Sequence, residues 1–311
     1  MKLKQSEKDY CERLLYFKTI NDCHEYLQIQ LELLFSTIAQ HHQDSIANQA
    51  EADARIFLQS YSCRLLNFNH ILKGVSFDSG GIKLNTIIDP SVLFTEVRGL
   101  FESLCVFELV FCVPDTPEKQ DLIYKLFSIA GKYERQQMHI SDGELKKALE
   151  VEKTEMEKQI AEVKSSVIYQ SLDAKNKQKV DNNISNGKFR IYIDENNNIV
   201  GTKWDDCRKY FGMDKPIYDD MYRYFSLHSH PSIIAIRQFE MAFQRKNPEF
   251  VKLAKLAVRY AVSITSIFIA DYLKKYPNSK SNFDILPPYK QMLIDYYNCL
   301  TRGEEYALFI D

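Results

Sequence analysis

One short stretch concentrates the side chains best suited to chemistry on a phosphate. Residues 222–232 place an arginine, Arg223, near two histidines, His228 and His230, with a hydroxyl between them at Ser226. An arginine donates a fork of hydrogen bonds that fits phosphate oxygens, and a histidine accepts or donates a proton near neutral pH. Together these groups suit cleavage of RNA, in which a 2′-hydroxyl attacks the neighbouring phosphate and no metal ion is needed.

A continuous helix would bring only one of the two histidines to the arginine. Each helical residue advances by about 100°, so Arg223 and His230 lie within about 20° of each other, whereas His228 lies about 140° away. Pro231 disfavours helical geometry at the preceding residue, so we expect a break there that leaves His230 exposed. Which histidine acts stays open. So does a purely structural role, in which Arg223 and His230 hydrogen-bond to Glu102 or to a helix end.

Two other classes of function remain alternatives. Asp219, Asp220, His228 and His230 have side chains that bind divalent metals, but His-x-His places its two rings on different faces of a helix. We therefore expect no metal site and no cofactor. The third class is a non-catalytic helical scaffold that binds a nucleotide or a protein partner, with the charged helix 144–164 as a partner surface.

The arginine and the histidines also carry a resemblance. Arg223 with His230 fits Arg-x(6)-His, and Arg223 with His228 fits Arg-x(4)-His, so both resemble the Arg-x(4 to 6)-His signature of HEPN proteins (higher eukaryotes and prokaryotes nucleotide-binding). The signature is short, since Arg64 and His70 also match it as Arg-x(5)-His. The resemblance implies an all-α bundle, a homodimer and a metal-independent endoribonuclease of a prokaryotic toxin or phage-defence system.

A wider set of spaced residues is similar to the bacterial domain of unknown function family 5677. This similarity covers roughly residues 90–273 and consists of Val-Arg-Gly-Leu-Phe-Glu at 97–102, Trp204, Tyr222-Arg223, Ser226 and His-Pro-Ser at 230–232. Carried over by position, Arg223 would bind the scissile phosphate and His230 would act as base or acid, with His228 as the competing histidine. The supporting polar residues would be Arg98, Glu102, Tyr222 and Ser226.

The elements that must position these residues are predicted to be helices. Only ten glycines and nine prolines occur in 311 residues, which indicates long uninterrupted helices. Apolar residues recur at helical spacing along most of the chain. We expect an all-α, mostly antiparallel bundle with a small β-hairpin insertion at about 188–201. Residues 1–74 are predicted to form an N-terminal helical hairpin region packed on a main domain, 90–311, that carries the Arg/His motif.

Several local expectations are more specific. Asn21 and Asp22 are predicted to mark a helix break and an N-cap, and residues 75–90, which include Gly80 and Gly81, to form a plain loop. A projecting helix packed on one side only is expected to begin at 141–143. The polar segment 173–187 is predicted to be a mobile linker.

Composition bounds the partners and the compartment. The net charge of −2 gives no global attraction to nucleic acid, so RNA binding would need a local basic site. Seven scattered cysteines without a C-x-x-C pair favour a reduced, cytoplasmic protein. The apolar run 260–270 is shorter than the roughly 18 residues of a membrane span, so we expect a buried core helix and no membrane partner.

Overall fold

The computed structural model describes residues 3–213, 215–230, 232–244 and 248–308. Helices dominate these residues, and two short antiparallel pairs are the strands among them, which confirms the predicted all-α fold with a small β-hairpin insertion. In chain order the helices are α1 (Gln5–Tyr16), α2 (Ile20–His41), α3 (Gln49–Ile71), α4 (Pro90–Phe107), α5 (Pro117–Gln136), α6 (Gly143–Ser165), α7 (Val167–Ser171), α8 (Ala174–Ser185), α9 (Trp204–Cys207), α10 (Met221–Ser229), α11 (Ile233–Gln244), α12 (Pro248–Lys275), α13 (Lys280–Asp284) and α14 (Pro288–Arg302). The strands are β1 (Val75–Ser79), β2 (Ile82–Ile87), β3 (Ile191–Ile193) and β4 (Ile199–Gly201).

Contacts along the chain define two compact units. The first unit combines Met1–Cys105 with Gly212–Asp311, and the second is Val106–Phe211. These units do not coincide with the predicted division into 1–74 and 90–311. The reason is that α2 packs against both α12 and α14, so helices from the two ends of the chain share one core.

The long helix α12 forms the centre of the first unit's core. Its Phe268 stacks on Tyr61 of α3, with ring centroids 3.9 Å apart and ring planes 5° apart. Gln30 of α2 donates hydrogen bonds of 3.0 Å to the backbone oxygen of Val262 and to the hydroxyl of Ser266. Apolar stacking therefore supplies the burial, while the buried amide fixes how α2 sits along α12.

Among the described residues, Glu249–Lys275 of α12 has the length and apolar composition to cross a membrane. In this fold 72% of its most apolar stretch is buried inside the protein. That extent of burial matches the core helix expected for residues 260–270.

The second unit has the one-sided helix that the sequence predicts. α6 begins after Asp142, whose carboxylate accepts hydrogen bonds from the backbone N–H of Glu144 and Leu145. Val163 is the one residue of α6 that is buried, so most of the helix surface faces solvent. α6 lies along α5, and ion pairs join the two helices at Arg135–Glu152 (2.8 Å), Lys132–Glu155 (3.1 Å) and Lys125–Glu162 (3.2 Å).

The plain loop predicted for residues 75–90 is wrong, because most of it is a β-hairpin. β1 and β2 pair antiparallel around Gly80 and Gly81, whose φ values of +60° and +80° suit a tight hairpin turn. Val75, Phe77 and Ile82 are exposed, so this hairpin buries little apolar surface. The Gly-Gly pair between alternating apolar residues was the sequence signal for it.

The mobile linker predicted for 173–187 is also wrong. Asp173 accepts a hydrogen bond from the backbone N–H of Asn176 at 2.7 Å and caps α8. Asn176, Val180 and Ile184, spaced by four, are buried along one face of this helix. A narrow buried stripe is enough to hold a helix whose other residues are polar.

The first helix break lies slightly before its predicted position. Thr19 is the N-cap of α2, and Asp22 is the third residue of the helix rather than its cap. The Thr19 hydroxyl accepts from the Asp22 N–H at 3.2 Å, and the Asp22 carboxylate accepts from the Thr19 N–H at 2.7 Å. These two reciprocal hydrogen bonds form a capping box between Thr19 and Asp22.

Phe268→Ala should reveal how much of the first unit depends on the core around α12. The substitution removes a fully buried ring and its stack on Tyr61, so the free energy of unfolding should fall by about 3–5 kcal/mol. Phe77→Ala, on the exposed hairpin strand β1, is the matched control and should cost less than about 0.5 kcal/mol. Urea unfolding followed by circular dichroism measures both losses, and losses of equal size would contradict this assignment of the core.

Candidate functional site

Four polar side chains from two helices meet at one place in the first unit. Arg98 and Glu102 lie one turn apart on α4, Tyr222 is near the start of α10, and His230 follows the last residue of α10. Arg98 donates hydrogen bonds of 2.9 Å from Nε to Glu102 Oε1 and from Nη2 to the Tyr222 hydroxyl. The Tyr222 hydroxyl in turn donates to Glu102 Oε1 at 2.8 Å. We call these four residues the Arg98 cluster.

His230 joins the cluster through its ring nitrogen Nε2, which lies 3.3 Å from Nη1 of Arg98. A guanidinium has only donors, so Nε2 is the acceptor in this contact and the ring proton lies on Nδ1. His230 is exposed and Arg98 is about one-fifth exposed, so a ligand from solvent can reach both groups.

Aromatic packing holds α10 against α4 and so brings the cluster together. The ring of Phe94, one helical turn before Arg98, lies 4.7 Å from the ring of His228, 5.0 Å from that of Tyr224 and 6.3 Å from that of Phe225. These three residues lie on α10 between Tyr222 and His230. The packing therefore sets where both ends of α10 fall along α4.

The electrostatics of the cluster fix the protonation states of Tyr222 and Arg98. Burial and the hydrogen bond to Glu102 raise the pKa of Tyr222 to about 12, against the opposing charge of Arg98. Burial alone would lower the pKa of Arg98, but Glu102 and Tyr222 outweigh it and raise that pKa. At neutral pH the phenol stays protonated and the guanidinium stays charged. Tyr222 is thus a positioning group rather than a base.

Arg223 lies outside this cluster. Its side chain is 78% exposed, and its Nη1 lies 3.0 Å from a carboxylate oxygen of Asp220. α10 ends at Ser229, and the backbone of His230 is extended, which confirms the predicted break. The shared helix face predicted for Arg223 and His230 therefore does not exist, and the arginine that contacts His230 is Arg98 on α4. The purely structural role predicted a hydrogen bond from Arg223 or His230 to Glu102. In the structure it is Arg98 that donates to Glu102.

Ser226 has a local role. Its hydroxyl donates a 2.9 Å hydrogen bond to the backbone oxygen of Tyr222, one turn earlier in α10. Such a bond satisfies the hydroxyl within its own helix.

His228 is the buried histidine of the motif, with only 5% of its surface exposed. Neither ring nitrogen has a hydrogen-bond partner among the described residues. Burial lowers the pKa of His228, and the negative charge of Asp89 opposes this only in part. The ring is therefore neutral at pH 7. A buried polar group without a partner costs about 1–3 kcal/mol, so this imidazole calls for an explanation.

A cavity of about 330 Å³ lies beside the Arg98 cluster. His230 belongs to both, and the rest of the wall is mostly apolar. We call this space the His228 cavity; its lining residues are Ser91, His228, Ser229, His230, Ala235, Ile236 and Phe239. Sequence reasoning missed the contributions of α4 and α11 to this wall, because only the tertiary fold brings Ser91 and Phe239 together. Phe94 and Arg98 are four residues apart, and this spacing indicates that they share one face of a helix.

The structure also describes the side chains considered as metal ligands. Across residues 3–213, 215–230, 232–244 and 248–308, no group of three or more histidine, cysteine, aspartate or glutamate side chains could hold a metal ion. Asp219 and Asp220 thus do not form such a group with the two histidines in this part of the chain.

No protein-family model, no curated protein and no solved structure matches this chain. The resemblance to the HEPN signature and to domain family 5677 therefore stays a prediction based on the residues quoted for it.

His228→Phe is expected to change how stability depends on pH. Because burial lowers the pKa of His228 in the folded chain, the unfolded chain binds a proton below about pH 6.5 that the folded chain does not. The wild type therefore loses stability as the pH falls towards the folded pKa. Phenylalanine keeps the ring contacts but binds no proton, so the variant should gain on the wild type between about pH 7.5 and pH 5, by at most about 1.4 kcal/mol per pH unit.

Urea unfolding at both pH values measures this gain. The matched control is His70→Phe, because His70 is exposed in the same unit, and its stability difference from the wild type should not shift in this way. A pH-independent difference for His228→Phe would show that the buried ring is not kept neutral by the fold.

Proposed function

We propose that this protein is a metal-independent endoribonuclease of the HEPN kind, in which Arg98 binds the scissile phosphate and His230 moves the proton. The observation that carries the proposal is the 3.3 Å separation of Arg98 Nη1 and His230 Nε2 at a solvent-accessible position. A permanent cation beside an imidazole nitrogen that can accept a proton is the pair of groups that RNA cleavage without a metal requires. From the sequence resemblance alone, we propose a homodimer of a prokaryotic toxin or phage-defence system, and from the cysteine pattern a cytoplasmic location.

Phosphate binding follows from the donors that Arg98 has left. A guanidinium carries five N–H groups, and the contacts to Glu102, Tyr222 and His230 use three of them. The other two can donate to phosphate oxygens. Glu102 and Tyr222 hold the guanidinium plane in place, so a phosphate meets a donor fork that is already oriented.

Proton transfer follows from the contact that a phosphate would replace. When a phosphate oxygen also takes the Nη1–H that His230 accepts, Nε2 of His230 loses its donor and becomes available as a base. It then takes the proton of the 2′-hydroxyl while the 2′-oxygen bonds to phosphorus and the bond to the 5′-oxygen breaks. The leaving 5′-oxygen takes a proton from water, and the hydroxide that remains takes the proton from His230, which restores the base. The products are a 2′,3′-cyclic phosphate and a 5′-hydroxyl.

A non-catalytic scaffold is the second candidate, and the surface of α11 favours it. Apolar side chains along this helix are exposed at Ile233, Ile234, Ile236, Met241 and Phe243. Exposed apolar patches of this kind occur at protein interaction sites. On this alternative the Arg98 cluster is a clamp between α4 and α10, and the charged helix α6 is a further partner surface.

Purified wild-type protein should cleave single-stranded RNA in excess EDTA. His230→Ala should lower the cleavage rate by about 10²–10⁴-fold, the usual contribution of a general base. The matched control is His70→Ala. His70 forms a separate match to the signature with Arg64, as Arg-x(5)-His, and the variant should keep the wild-type rate. Mass spectrometry of the products should detect 2′,3′-cyclic phosphate ends. Cleavage that EDTA abolishes would point to a metal enzyme, and no cleavage by the wild type would favour the scaffold.

Arg98→Lys and Arg223→Lys separate the two arginines of the site. Each variant keeps a positive charge but loses the fork of donors. Arg98→Lys should lower RNA cleavage by about tenfold or more, whereas the exposed Arg223→Lys should stay within about twofold of the wild type. Circular dichroism confirms that both variants are folded. The reverse order would assign phosphate binding to Arg223, as the sequence alone predicts.

A further inference from the structure

The His228 cavity contains a polar group that the proposed cleavage does not use. The imidazole of His228 forms part of its wall, is almost fully buried and has no hydrogen-bond partner among the described residues. Buried polar groups in proteins are normally paired. A ligand that fills the cavity would supply the missing partner.

We propose that the His228 cavity binds the nucleobase of the nucleotide whose phosphate lies at the Arg98 cluster. This inference rests on the proposed function and deepens it, because it assigns the choice of base at the cleavage position to His228.

The size and the lining of the cavity fit a base. Its volume of about 330 Å³ is at the lower end of the roughly 300–1,000 Å³ typical of small-molecule sites, so it suits a single base rather than a longer segment. Ala235, Ile236 and Phe239 line it from α11. Apolar and aromatic side chains hold the faces of unstacked bases in single-stranded RNA sites.

The chemistry of His228 fits the edge of a base. A neutral imidazole offers one N–H donor and one acceptor, and the Watson–Crick edges of bases carry both kinds of group. Burial keeps this ring neutral by lowering its pKa. Both nitrogens are covered in the ligand-free protein, so contact with a base requires the ring to turn about its Cβ–Cγ bond.

The position of the cavity fits the path of a nucleotide. His230 lines the cavity, and its Nε2 lies 3.3 Å from Nη1 of Arg98. A base in the cavity would thus have its ribose at His230 and its phosphate at Arg98. This order places the 2′-hydroxyl beside the histidine that takes its proton.

Isothermal titration of the full chain with the four nucleoside 3′-monophosphates and with ribose 3-phosphate tests the inference. Ribose 3-phosphate carries the sugar and the phosphate but no base. At least one monophosphate should bind about tenfold or more tightly than ribose 3-phosphate, the gain expected from one or two hydrogen bonds and ring contacts. In His228→Phe, which keeps the ring packing on Phe94 and Tyr224, the preference among the four bases should disappear.

A second variant leaves His228 in place. Ile236 is 54% exposed at the cavity wall, so Ile236→Trp fills the cavity without disturbing the core. It should reduce binding of the preferred monophosphate to the level of ribose 3-phosphate. Ile233→Trp is the matched control, because Ile233 is 63% exposed on the same helix and does not line the cavity. It should bind as the wild type does.

The outcomes separate this inference from the proposed function. Equal affinity for ribose 3-phosphate and all four monophosphates, or unchanged base preference in His228→Phe, overturns the base site even if the wild type cleaves RNA. Base-dependent binding that Ile236→Trp abolishes supports the site even if no RNA is cleaved, in which case the endoribonuclease proposal fails alone.

Discussion

The site depends on the packing of one aromatic ring against a short helix. Phe94 of α4 contacts Tyr224, Phe225 and His228, and this fixes α10 along α4. An isolated helix of nine residues is not stable in water, so α10 owes its position to such contacts. The same packing places Tyr222 at one end of α10 and His230 just past the other, both within hydrogen-bonding distance of Arg98.

The Arg98 cluster combines a structural role with a chemical one. Glu102 and Tyr222 hold the guanidinium, and partial burial makes these hydrogen bonds stronger than those of an exposed ion pair. Arg223 shows the contrast, because it meets Asp220 in solvent, where such a pair contributes about 0–1 kcal/mol. A phosphate arriving at Arg98 would find donors already oriented. At Arg223 it would meet an exposed side chain that no neighbouring helix in the described part of the chain holds in place and that already pairs with Asp220.

Sequence reasoning reached the fold and part of the site. Three features followed from local signals. Helical periodicity predicts helix α4, the Arg98–Glu102 spacing predicts the ion pair, and Pro231 predicts the break at His230. The contact between Arg98 and His230 joins residues 132 positions apart, so no local pattern could indicate it. Helix α8 was missed because its polar composition indicated a linker. A few residues buried along one face are enough to hold it as a helix. The His228 cavity is a tertiary feature formed by α4, α10 and α11.

The most direct test of the account is the tautomer of His230. NMR reads it from the ¹⁵N chemical shifts of the ring, in the free protein and with a bound 2′-O-methyl dinucleotide that cannot be cleaved. In the free protein the account predicts that the ring proton lies on Nδ1, since Nε2 accepts from Arg98. Binding of the dinucleotide should shift the Nε2 resonance because the phosphate takes the N–H of Arg98 that Nε2 accepts in the free protein. A proton on Nε2 in the free protein, or an Nε2 resonance that a bound dinucleotide leaves unchanged, would contradict the account.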